Sequence, residues 1–223
     1  WQPNSATVVD RIFSLHIGKS RHELFENDER SVKARSLKQL LDAFERLLKI
    51  YVAEMARRRV FVHAGAVGWN GKAIVIPGRS YSGKTSLVKA LVEAGATYYS
   101  DEYAVLDMQG RVHPYPQPLA VRKPGKVEQT KCPVETLGGR VGVNPLPVGV
   151  VIVSKFREKA RWQPVPLTAG HGVLELLDNT VPARRKPEVV LPTLQKAVTG
   201  ATILKGDRGE VESVVQRILK RYA

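Results

Sequence analysis

The stretch "KAIVIPGRSYSGKTSLVKALVEAG", residues 72–95, constrains the fold more than any other part of the chain. An apolar run of strand length leads into a loop that satisfies G-x-x-x-x-G-K-[ST] from Gly78 to Thr85, and a helical apolar pattern follows it as far as Gly95. A glycine-rich loop held between a strand and a helix aims backbone N–H groups and a helix N-terminus at one point, which suits phosphate oxygens. In that mechanism Gly78, Ser80, Ser82, Gly83, Lys84, Thr85 and Ser86 surround the phosphates of a nucleotide such as ATP. Lys84 bridges the terminal phosphates and Thr85 offers an oxygen to Mg2+. A second "GKS", at 18–20, lacks the first glycine of the pattern, because Phe13 stands there.

The residues before the loop fix what lies beside it. "VFVHAGAV" (60–67) and "KAIVIP" (72–77) read as two antiparallel strands around "WNG", and Asn70-Gly71 is a strong type I′ turn signal. With Asn70 and Gly71 as the two turn residues, Trp69 faces Lys72 and the pairing continues until His63 faces Gly78. His63 is thereby expected beside the phosphates, and a slip of one residue would turn it to the opposite face.

Elsewhere the pattern is mixed. Residues 1–35 suggest one or two edge strands and an exposed loop. From Ser36, which stands at capping-box spacing from Gln39, a helix carries Leu37, Leu40, Leu41, Phe44, Leu47, Leu48, Tyr51 and Met55 as an expected core stripe. A second hairpin is expected around Gln109-Gly110, and loops with short strands over 114–147. The strand "LPVGVVIVSKF" follows, then the helices "GVLELLDNTV" and "EVVLPTLQKAV", the strand "ATILKG" and a last amphipathic helix "GEVESVVQRILKRY". The expected fold is α/β, a mixed sheet with an antiparallel hairpin before the phosphate loop. Residues 1–59 supply N-terminal strands and a helix packed on the core, and residues 60–223 form the loop-bearing domain.

Composition narrows the setting. A hydrophobic fraction of 43% and 25% charged residues are ordinary for a globular protein, and no apolar run approaches the roughly 20 residues of a membrane span. Cys132 is the only cysteine, so an internal disulfide and a cysteine-based metal site are excluded, and a reducing cytoplasm is the expected location. A net charge of +14 draws anions, whether nucleotides, acidic peptides or proteins, or nucleic acid. Aromatic RNA-binding signatures are lacking, so nucleic acid is not favoured. His16, His22, His113 and His171 show no metal-ligand spacing. The composition is also compatible with an oligomer.

The acidic pair Asp101-Glu102 stands seventeen residues beyond Lys84 and precedes an apolar run, whereas an ordinary ATPase of this type places such a pair at a strand's end. "YYSDEY" reads either as a turn with exposed acids or as the carboxylates that a magnesium nucleotide and a hydroxyl acceptor need. The order of the histidine, the loop and the acidic pair in "VHAGAV…NGKAIVIPGRSYSGKTSLVKALVEAGATYYSDEYAVL" resembles the catalytic core of the HPr kinase/phosphorylase family, whose loop is related to that of phosphoenolpyruvate carboxykinase. The resemblance covers roughly residues 60–122. It implies a fold like the C-terminal domain of those kinases, ATP and Mg2+ as cofactors, and roles for His63, Lys84 and the two acids. Asp101 becomes the proton acceptor and Glu102 a magnesium ligand with Thr85, with Asp101 able to share the metal.

In "PQPLAVR", Arg122 matches an arginine of the family. The chain departs from the family in having Asp-Glu where two aspartates are usual and Thr85 where serine is usual. The first 60 residues hold no counterpart of the N-terminal domain of bacterial HPr kinases. The resemblance therefore implies a stand-alone serine-type kinase acting on a hydroxyl of a peptide, protein or small molecule, with a nucleotide-binding switch or a nucleic-acid-associated ATPase as the alternative. Arg184 and Arg185 follow a predicted helix and read either as phosphate contacts or as a solvated helix end.

Overall fold

Three antiparallel strands, rather than one or two, occupy the N-terminal stretch: β1 (Phe13–Ile17), β2 (His22–Glu26) and β3 (Glu29–Ala34), paired in that order. The computed structural model describes residues 8–79, 82–122 and 129–221. The turn between β2 and β3 is hidden in a polar run. Asn27 adopts φ 55°, and its side-chain oxygen accepts from the Ile12 amide at 3.0 Å. Helix α1 (Leu37–Met55) begins where Ser36 Oγ accepts from the Gln39 amide at 3.3 Å and Gln39 Oε1 accepts from the Arg35 amide at 3.0 Å. Leu40 and Ala43 bury against Leu24 and Ala34, while Leu37, Leu41 and Leu48 remain exposed. The expectation that the whole stripe is core is thus corrected: the apolar face is wider than the small sheet packed on it. The chain divides into two compact units, Trp1–Val52 and Ala53–Ala223.

In the second unit the elements are β4 (Val60–Val62), β5 (Ala64–Trp69), β6 (Lys72–Pro77), α2 (Lys84–Glu93), β7 (Thr97–Ser100), β8 (Ala104–Leu106), β9 (Val112–His113), β10 (Leu119–Arg122) and β11 (Gln129–Cys132). They are followed by a short 3-10 turn, β12 (Val148–Phe156), β13 (Val165–Leu167), α3 (Ala169–Leu177), α4 (Pro187–Val198), β14 (Thr202–Arg208) and α5 (Glu212–Arg221). Six of the strands form one sheet in the order β13-β14-β12-β6-β5-β7. Strand β12 runs parallel to β6 and β14, and the other neighbours are antiparallel.

Side chains alternate across this sheet. Ile74, Ile76 and Ile152 meet Leu87 and Leu91 of α2 and Val214 and Ile218 of α5, whereas Ala73, Val75 and Val151 meet Leu176 of α3 and Val190 and Leu194 of α4. With helices on both faces, the central strands read as unbroken apolar runs. This mixed α/β sheet agrees with the fold class expected from the sequence at that level. Strand β13 was not anticipated; among the described residues it pairs with β14 alone, and an edge of this kind tolerates Pro166. No helix among the described residues is long and apolar enough to cross a membrane.

Asn70 (φ 48°) and Gly71 (φ 77°) adopt the two left-handed conformations of a type I′ turn, and Trp69 pairs with Lys72 as the turn requires. The expected single strand over 60–67 is divided, however. Strand β4 pairs with β8 in a separate three-stranded sheet, β5 pairs with β6 and β7, and His63 stands at the change of partner. A single histidine in an otherwise apolar run carries no signal for such a switch.

The hairpin β8–β9 is fastened by Asp107, which is 3% exposed. Its carboxylate accepts from the Gln109 and Arg111 amides, both at 3.0 Å, from Arg111 Nε at 2.9 Å, and from His113 Nε2 at 3.0 Å when that nitrogen carries the proton. Burial alone would push this acid upward, but the Arg111 amide, His113, the Arg111 side chain and the Gln109 amide together hold it down to about 2. A depressed carboxylate stabilises the fold above its unfolded pKa, and the contribution is lost as pH falls through the folded value. We expect Asp107→Asn to lose about 2 kcal/mol at pH 7, with the gap from wild type closing between about pH 4 and pH 2. Urea unfolding at both ends of that range checks this, and an equal loss at both would refute the linkage.

Candidate functional site

Loop 78–85 begins where the hairpin register ends. The Gly78 amide donates to the His63 carbonyl at 3.2 Å, so His63 faces Gly78 across the end of β5 and β6. The His63 amide donates in turn to the Asn179 carbonyl at 2.7 Å, just beyond α3, a contact that no local pattern announces. Burial first, and Lys84 second, bring the His63 imidazole down to about 4. The ring is therefore neutral at pH 7 in the ligand-free protein.

The described residues of the loop are closely packed. A Cβ on Gly78 would stand 2.7 Å from Ser82 Oγ, an atom that is buried with no hydrogen-bond partner. Gly83 takes φ 83° at the N-cap of α2, a conformation that suits glycine. Lys84 is 8% exposed and folds back so that Nζ donates to the Arg79 carbonyl at 3.2 Å. Burial draws its ammonium below the usual lysine range, and Asp101 and Glu102 pull in the opposite direction. Ser86 is exposed on the first turn of α2. Ser80 lies outside the described residues.

Thr85 joins the loop to the acidic pair: its hydroxyl donates to Asp101 Oδ2 at 2.9 Å. Asp101 Oδ1 is buried with no hydrogen-bond partner. Burial pushes this carboxyl up to about 6; the Thr85 hydroxyl, Lys84 and the Ala120 amide oppose the rise, and Glu102 adds to it. Two carboxylates in a fully extended chain would point to opposite sides of the strand. Here the chain bends, because Ser100 Oγ accepts from both the Glu102 amide (3.2 Å) and the Tyr103 amide (3.1 Å). Both acids consequently act on Lys84.

His63, Gly78, Ser82, Gly83, Lys84, Thr85, Asp101 and Glu102 thus converge. Strand β10 also belongs to this neighbourhood through Ala120, while the side chain of Arg122 lies outside the described residues. Arg184 and Arg185 do not join the site. Val62 pairs with Thr180 and the Val181 amide donates to the Phe61 carbonyl, so the chain runs back along β4, away from His63. Arg185 Nε stands 3.6 Å from Glu54, and Arg184 is exposed. Their reading as phosphate contacts is corrected by this course of the chain.

One contact was missed entirely. Arg208 ends β14 and its Nη2 donates to the Gly83 carbonyl at 2.6 Å, from 125 positions away in sequence. Chemically, the arrangement offers an anion the N-terminal amides of α2 and a buried ammonium, next to a hydroxyl and two carboxylates. A hard divalent cation prefers oxygen donors of this last kind, and the Thr85 hydroxyl, whose proton goes to Asp101, keeps its lone pairs for one. Compared with models of known protein families and with curated proteins, the chain matches none.

Proposed function

We propose that the protein is an ATP- and magnesium-dependent kinase that transfers a phosphoryl group to a serine-like hydroxyl, a divergent relative of the HPr kinase/phosphorylase family. The observation that carries this reading is the Thr85 to Asp101 hydrogen bond, which links a phosphate-type loop to a bent acidic pair beside a buried lysine. When bound, ATP supplies the phosphoryl group and Mg2+ neutralises charge on its oxygens. Thr85, its proton engaged by Asp101, has lone pairs free for the cation, and Glu102 is the second ligand. Lys84 exchanges the Arg79 carbonyl for phosphate oxygens.

Asp101 Oδ1 takes the proton of the incoming hydroxyl, and a carboxylate poised near 6 is both ionised and basic enough at neutral pH for that task. His63 holds the loop's first glycine through its backbone carbonyl, and its ring is neutral in the free protein. A triphosphate beside it would favour its protonated form, adding positive charge where it offsets the phosphates.

The test is acceptor-dependent ADP release. Incubated with ATP, Mg2+ and serine-containing peptides, acidic ones included, the protein should release ADP in step with phosphorylated acceptor measured by mass spectrometry. ADP release that ignores every acceptor would identify an ATPase, and nucleotide retained without turnover would identify a switch.

A further inference from the structure

Arg208 is 1% exposed, and among the described residues no carboxylate pairs with it. Glu210 acts on it only at longer range. Besides the bond to Gly83, Nη1 donates to the Gly209 carbonyl at 3.2 Å, and Nε is buried with no hydrogen-bond partner. The guanidinium carbon lies 5.9 Å from the centre of the Phe156 ring. An arginine buried without a counterion is costly to keep charged, so its placement calls for a reason.

The reason lies in the peptide that it grips. The Gly83 carbonyl accepts twice, from Arg208 and from the Leu87 amide at 3.2 Å. A trans peptide is planar, with its C=O and the following N–H on opposite sides, so whatever holds the Gly83 oxygen also directs the Lys84 N–H. Glycine at φ 83° has little conformational preference of its own to fix that plane. A cation on the carbonyl also polarises the peptide and makes its N–H a stronger donor. Gly83 leaves room for this, since a Cβ there would collide with the guanidinium.

We infer that Arg208 is a positioning residue for anion binding, which from behind the loop fixes and polarises the Gly83–Lys84 peptide so that the Lys84 amide donates to a phosphate oxygen in front. This rests on the proposal that residues 78–85 bind phosphates. It adds that the affinity of the loop depends on a charge that never touches the ligand.

The experiment uses the full chain and inorganic pyrophosphate, followed by calorimetry. With the peptide no longer fixed or polarised, Arg208→Met should weaken binding by about tenfold, whereas Arg208→Lys, which keeps the cation, stays within about threefold of wild type. The Lys84 amide proton should move upfield in ligand-free Arg208→Met and return toward its wild-type position in Arg208→Lys, a signature that lost stability alone would not produce.

Should the methionine variant fail to fold, the wild-type spectrum decides. Added pyrophosphate should shift the Lys84 amide and the Arg208 Nη protons together, and a Lys84 shift without an Arg208 response overturns the inference. Wild type that binds pyrophosphate no better than folded Arg208→Met overturns the role of Arg208 alone. Wild type that binds neither pyrophosphate nor ADP overturns both this inference and the phosphate reading beneath it.

Discussion

Lys84→Ala should remove detectable phosphoryl transfer and leave the protein folded. Among the described residues the ammonium donates to the Arg79 carbonyl alone, and it sits in a neighbourhood that disfavours its charge. A lysine whose folded pKa lies below its unfolded value costs stability wherever it remains protonated, so deleting it sacrifices stem packing but relieves that cost. In the proposed reaction the same ammonium meets charge that grows on the terminal phosphates. Removing one preorganised donor of this kind typically costs about 10²–10³-fold in kcat, and more where it also binds the ground state. Phosphorylation of an acceptor, measured beside a thermal melt, separates the two effects. Unchanged turnover in a folded variant would end the reading of residues 78–85 as a phosphate loop.

Asp101→Asn has the second large effect, and it acts in two directions. General-base catalysis is worth about 10²–10⁴-fold, so kcat should fall by that order while nucleotide affinity changes little. Stability should move the other way. The folded protein holds this carboxyl at about 6 against an ordinary 3.8, so folding favours the protonated form. That contribution is present below the unfolded value and is lost as pH rises through about 6. At pH 7–8 the ionised, buried Asp101 therefore weakens the ligand-free fold by about 1–3 kcal/mol. Asparagine keeps an oxygen for the Thr85 hydroxyl and escapes the penalty, so its melting temperature at pH 8 should rise. In wild type, kcat/KM, which reports the free enzyme, should climb with pH through about 6. If instead Asp101→Asn loses magnesium dependence and Glu102→Gln loses only kcat, the two acids have exchanged roles. A variant with full activity would remove the catalytic assignment.

How far the site was legible depends on where its information resides. Two residues, Asn70 and Gly71, set a turn whose geometry fixes the pairing of every residue up to the end of the hairpin, so the meeting of His63 with Gly78 could be counted from the sequence. The helices over 84–93 and 212–221 were readable from their period, because each buries one face, and the strand over 148–156 from its apolar run, because both of its faces are covered.

Other features had no local period to betray them. The bend at Asp101-Glu102 depends on one serine hydroxyl accepting two amides, and "YYSDEY" alone reads equally well as a turn with exposed acids. The division of the strand at His63 is a choice between partners that lie far along the chain. Arg184 and Arg185 looked suitable by charge alone, but the course of the backbone along β4 takes them elsewhere.

The distance between Gly83 and Arg208 has a consequence for biosynthesis. The hairpin, the loop and the acidic bend are closed by contacts only some sixteen residues apart, such as Thr85 to Asp101, and local closures of this kind form early. Strand β14 lies between β12 and β13, and it brings Arg208 to the loop only after 125 further residues have been added. A growing chain on the ribosome can thus complete the front of the loop long before the cation behind it arrives. Any product terminated before residue 208 would carry the whole glycine-rich motif and still lack the group that orients its central peptide.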